Sequence, residues 1–155
     1  MTTQRARRVA VPSSAPIGDE MADADYASAF QLATRGTRRA PEHWARSVFE
    51  DAPAVVRVVL VLGWRLVLGL RMGPTATPDY VLGWHIAERG PNFAVLESNS
   101  PFLAAQNIVV TDESTVSWST LVRFDRWIAR PIWAVVAPFH HRTIPYLLRR
   151  ADREA

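Results

Sequence analysis

A chain of 155 residues with 48% hydrophobic content suffices for one domain with a sizeable core, and it excludes a chain disordered throughout. It holds no cysteine, which excludes a disulfide framework, a thiolate metal site and a cysteine nucleophile, and fits a reducing cytoplasm. All 18 basic residues are arginine, but they are scattered and the net charge is only +3, so a solvated surface is expected and nucleic acid is not a partner.

Residues 1–25 lack periodicity and any apolar run long enough for a signal peptide. They are expected as a disordered tail, with a single domain over residues 26–155. Tyr26 to Thr34 alternates loosely and predicts a first strand, ended at Gly36. Pro41 stands in the favoured first turn of a helix, with Glu42 at its positive end and Trp44, Val48 and Phe49 as its apolar stripe.

Asp51 caps a second predicted helix, Ala52 to Met72, with Pro53 in its first turn. Its length is that of a membrane span. However, Arg57, Arg65 and Arg71 gather within about a third of its circumference, a charged face that disfavours stable insertion. The favoured reading is an amphipathic helix facing the core; docking onto a lipid surface or a partner is the alternative. Gly63 and Gly69 each weaken the helix by about 1 kcal/mol relative to Ala, and Gly73-Pro74 ends it.

Beyond Pro78 the period changes from helical to alternating. Tyr80 to Ala87, Phe93 to Ser98, Phe102 to Thr111 and Thr115 to Phe124 predict four strands joined by short turns, an antiparallel meander. Val116, Trp118, Thr120, Val122 and Phe124 share one face of the last strand, so one face of the sheet is expected to be covered. Arg126 to Arg150 predicts a long final helix. Pro131, Pro138 and Pro145 are seven apart and stack on its wet side with Arg142 and Arg149. Ala129, Trp133, Val136, His140 and Leu147 line the opposite, dry side. The sum is an α+β fold: a five-stranded antiparallel sheet covered by a long C-terminal helix, with two helices after the first strand.

Trp44-Ala45-Arg46, Phe49-Glu50-Asp51-Ala52-Pro53 and Leu62-Gly63-Trp64-Arg65 carry a family likeness. It continues in Val122-Arg123-Phe124, Trp133, Pro138-Phe139-His140 and Pro145-Tyr146-Leu147-Leu148-Arg149-Arg150. Over roughly Tyr26 to Ala151 the chain resembles the bacterial domain of unknown function 2867 family. Its element order also resembles the helix-grip fold of the START-like (SRPBCC) superfamily, although five strands are fewer than the usual seven. The resemblance implies a hydrophobic cavity between sheet and final helix.

No catalytic motif stands out. His43, His85, His140 and His141 have no metal-ligand spacing, no phosphate loop or nucleophile elbow occurs, and no carboxylate pair is placed together. No metal and no cofactor are therefore expected. Trp84, Trp118, Trp133 and His140 could line a pocket for a hydrophobic small molecule, or fill the core. His140 on the dry helix side is read as a hydrogen-bonded core histidine, with ligand contact or proton transfer of the cyclase or dehydratase kind as alternatives.

Overall fold

The computed structural model of the chain describes residues 5–34 and 39–153. Its strands are β1 (Arg7–Val9), β2 (Tyr26–Ala33), β3 (Ala76–Thr77), β4 (Tyr80–Val81), β5 (Trp84–Arg89), β6 (Phe93–Asn99), β7 (Leu103–Thr111) and β8 (Thr115–Phe124). Its helices are α1 (Pro41–Phe49), α2 (Ala54–Leu62) and α3 (Ala129–Arg153). The architecture is α+β, an open antiparallel sheet with the long C-terminal helix against it. Among the described residues the sheet has eight strands rather than the expected five, in the order β1-β2-β8-β7-β6-β5-β4-β3.

The extra strands have identifiable causes. The expected strand from Tyr80 to Ala87 breaks at Leu82 and Gly83, whose φ angles are 47° and 94°. Two successive positive φ values make a tight two-residue hairpin between the paired Val81 and Trp84. Gly83 adopts this freely; Leu82 does so at a cost that burial of its side chain in the core offsets. Pro78-Asp79 turns the chain once more, so that Thr77 pairs with Tyr80 and β3 is added at the edge.

Residues 5–25 do not form the disordered tail their composition suggests. Arg7–Val9 pairs antiparallel with β2, Arg8 lying opposite Phe30. A short 3-10 turn at Asp19–Met21 then seats Met21, 4% exposed, against Val95, Ile108 and Leu121. Alternation along β8 places Leu121 on the face opposite Trp118 and Thr120. Both faces of the sheet are therefore covered, not one. The Phe124 N–H donates to Asp25 Oδ2 (2.6 Å), and Arg123 Nη1 donates to the Glu20 carbonyl (3.0 Å). These bonds fix the strap where its own sequence has no periodic signal. The Gly36 stop expected after β2 lies outside the described residues.

The helix expected over Ala52 to Met72 is also corrected. α2 ends at Leu62, a π-helical turn occupies Gly63–Val67, and Gly69 leaves the helix at φ 64°. Arg71 N–H then bonds the Asn99 carbonyl at 2.9 Å. The core-facing orientation does not hold either, since α2 buries only Leu60. Among the described residues no helix is long and apolar enough to cross a membrane.

α1 buries Trp44, Ala45, Val48 and Phe49. Arg46 reaches from its outer side to the carbonyls of Thr77 (3.2 Å), Pro78 (3.0 Å) and Tyr80 (3.1 Å), and so ties the β3–β4 hairpin to the helix. α3 packs against α1, β2 and β8 through Ala129, Trp133, Ile144, Leu147, Leu148 and Ala151. Pro131 lies in its first turn, where an N–H would be free anyway. Pro138 and Pro145 are interior, and they leave the Ala134 and His141 carbonyls without an intrahelical donor. Pro138 and Arg142 face water.

Candidate functional site: an apolar cavity beneath the C-terminal helix

Strand alternation and antiparallel register build the floor of the site. On the helix-facing side, Thr120 of β8 pairs with Asn107 of β7 and with Ser28 of β2. A short polar row thus crosses three strands inside an apolar surface. Asn107 Oδ1 accepts from Thr120 Oγ1 (2.8 Å) and from Trp118 Nε1 (3.1 Å). Ala105 and Val122 continue the floor, and Trp84 of β5 closes one side.

The roof comes from α3. Trp133, Val136, His140 and Thr143 follow one another at spacings of three or four and lie along one side of the helix. Trp64 and Val67, on the π-helical turn after α2, supply the flank. Between floor and roof lies a cavity of about 260 Å³. None of its lining residues among the described ones is an arginine, aspartate or glutamate. It opens between α2 and α3, where Val59, Val67, Val135 and Phe139 line it and are themselves exposed.

Three residues lining this space carry a buried nitrogen with no hydrogen-bond partner among the described residues: Trp84 Nε1, Trp133 Nε1 and His140 Nε2. Burial, reinforced by nearby His141 and Arg8, lowers the His140 pKa to about 3. Its imidazole is therefore neutral at physiological pH. Trp133 sits 5.7 Å from the His140 ring and 4.9 Å, edge-on, from Tyr26. The Tyr26 hydroxyl donates to Ser28 Oγ (2.9 Å), and its oxygen lies 2.5 Å from His141 Nε2. Burial raises the Tyr26 pKa and lowers that of His141. This aromatic cluster fixes the ring of Trp133 from behind.

Of the four residues singled out from sequence, the fold brings Trp84, Trp133 and His140 to the cavity. Trp118 is fully buried behind it, edge-on to Phe49 at 5.0 Å, with its indole N–H spent on Asn107. No hydrogen bond from His140 to a strand or loop satisfies its Nε2. Asn107, Thr120, Trp64 and Tyr26 were missed. Thr120 could have been found, because it is the one polar residue on the apolar face Val116-Trp118-Thr120-Val122. Asn107 sits likewise inside the apolar run of β7. Among the described residues no three His, Asp or Glu side chains come together to hold a metal ion.

A family model described as Protein of unknown function (DUF2867) matches residues 21–147. The chain belongs to this family. The DUF2867 match runs from Met21, the plug of the second sheet face, to Leu147 on α3, and so includes all the cavity residues named above. Comparison with curated proteins and with solved structures returns no match.

Proposed function

We propose that this DUF2867 protein binds one small, uncharged, largely apolar molecule that carries a hydrogen-bond acceptor, between α3 and the sheet. The observation that carries the reading is the apolar space of about 260 Å³ itself, with the unpartnered buried nitrogens of Trp84, Trp133 and His140 in the walls around it. Indole N–H groups are donors only, and leaving one buried and unpaired costs about 1–3 kcal/mol. A ligand carbonyl, ether or hydroxyl oxygen would remove that cost once a small turn of the ring brings the N–H, which the walls close off, to the space. The neutral His140 ring can donate or accept, according to tautomer. At about 260 Å³ the space lies just under the range of about 300–1,000 Å³ usual for small-molecule pockets, which argues for a compact occupant.

An antiparallel sheet closed by a long C-terminal helix is also the plan of the helix-grip, START-like proteins. That likeness of plan supports a ligand cavity by analogy, a weaker warrant than the space itself. A buried histidine with a perturbed pKa in a pocket favours a second reading, proton transfer by His140 as in a cyclase or dehydratase. The direction of the shift counts against it, because an imidazole with a pKa of about 3 is a weak base at neutral pH.

Prodan, an uncharged naphthalene with a ketone oxygen and environment-sensitive emission, is a suitable probe. Saturable binding with a blue shift is expected. Trp133→Phe keeps an aromatic side chain, though a smaller one, removes the N–H donor and should weaken binding by roughly fivefold. No saturable shift, together with no co-purified small molecule in native mass spectrometry, would overturn the reading.

A further inference from the structure

The second feature of this region is its outer surface. Val55, Val58 and Leu62 of α2 are 75%, 57% and 50% exposed, and Leu66 of the following π-helical turn is 77% exposed. Val135 and Phe139 of α3 continue the patch across the cavity mouth. A contiguous apolar surface of this kind marks an interaction site.

Its charge identifies the partner. No aspartate or glutamate occurs from 52 to 78 or from 126 to 151. These are the two segments that carry the patch, and Arg57, Arg65 and Arg142 within them are exposed, whereas Arg71 and Arg130 lie beside Glu20 and Glu97 and beside Asp25 and Asp125, away from it. On the helical wheel Arg65 flanks the apolar stripe Val55, Val58, Val59, Leu62 and Leu66, and Arg57 lies further round on the same side. α2 and its π-helical turn are too short to span a bilayer but suited to lying in its interface. We propose that this face docks on a lipid bilayer rich in anionic headgroups, with the apolar side chains in the acyl boundary and the arginines at the headgroups. The cavity mouth between Val59, Val67, Val135 and Phe139 then faces the lipid. Entry of the ligand from the bilayer rests on the ligand-binding reading above; docking itself does not.

Co-sedimentation of the full chain with vesicles tests this. Binding is expected to vesicles of phosphatidylcholine and phosphatidylglycerol in equal parts. It should fall at least tenfold for phosphatidylcholine alone, and fall again as salt screens the arginines. Val55, Leu62 and Leu66 do not line the cavity. The combined variant Val55→Ser, Leu62→Ser and Leu66→Ser should therefore lose vesicle binding at least tenfold and still bind prodan in the absence of vesicles. Trp133→Phe should do the reverse, so failure of the docking and failure of the ligand reading are distinguishable. Three results would each overturn the docking proposal: no vesicle binding, equal binding to both vesicle types, or a dimer in sedimentation velocity that the triple variant converts to monomer. The last would assign the patch to a second copy of the chain.

Discussion

α1 and α2 are neighbours in sequence, nine residues each, and both begin beside a proline, yet the fold treats them oppositely. α1 carries Glu42 and Arg46 on one side and buries Trp44, Ala45, Val48 and Phe49 on the other. α2 reads AVVRVVLVL, apolar almost all round, and buries only Leu60. Burial follows the existence of a dry side that matches a partner, not apolar content. Phe49 meets Trp118 and Trp64 edge-on, each at 5.0 Å, and closes the α1 end of the cavity. On the α2 side the layer stops short, leaving a cavity and an apolar surface in water.

The largest effect is expected where the contrast is sharpest. Phe49→Ala should cost about 3–5 kcal/mol in urea unfolding, the usual loss for a fully buried phenylalanine. Leu62→Ala on α2, with half its surface exposed, should stay within about 0.5 kcal/mol. If Leu62→Ala costs as much as Phe49→Ala, then α2 is covered in the working protein and the comparison fails.

Much of this contrast could be read before any coordinates. The α1 stripe, the limits of β8 and the dry side of α3 through Trp133 and Leu147 all follow from period and proline position, because those elements pack along a single face. The strap at residues 5–25 was invisible, since it is held by β2, Arg123 and the second sheet face and not by its own pattern. The Leu82-Gly83 hairpin was hidden by a leucine in a positive-φ position that its burial makes tolerable. α2 misled because three arginines look like the wet side of a buried helix, whereas most of its apolar residues are wet as well. The cavity was half legible. Tryptophan and histidine positions located it, but Trp118 is held behind it by Asn107, a cross-strand partner that no local period reveals.

The floor of the cavity holds a polar lock, and breaking it comes next in size. Asn107 Oδ1 serves both Trp118 Nε1 and Thr120 Oγ1. Asn107→Ala leaves two buried groups without their acceptor and opens a small void, for an expected loss of about 3 kcal/mol. Thr120→Val removes one donor and keeps the shape, so its cost should be smaller. Similar costs for the two would show that the Thr120 bond carries the lock and that the Trp118 bond and the filled volume add little.

The open side of the comparison is tested most finely by pH. The folded-state pKa of His140 lies at about 3, below the value of about 6.5 expected in the unfolded chain. Between these values the unfolded state binds the proton and the folded state does not, so stability rises with pH across that window and falls on acidification. Going from pH 7 to pH 5 should remove about 2 kcal/mol through this one residue. The shift at His141, also downward, acts in the same sense. His140→Gln keeps a polar side chain of similar reach and does not titrate. The slope of unfolding free energy between pH 7 and pH 5 should flatten by most of that amount in the variant, while stability at pH 7 changes much less. An unchanged slope would mean that His140 charges without penalty, which is possible only if its nitrogen already reaches water or an acceptor, and the cavity would then be wetter than its lining suggests.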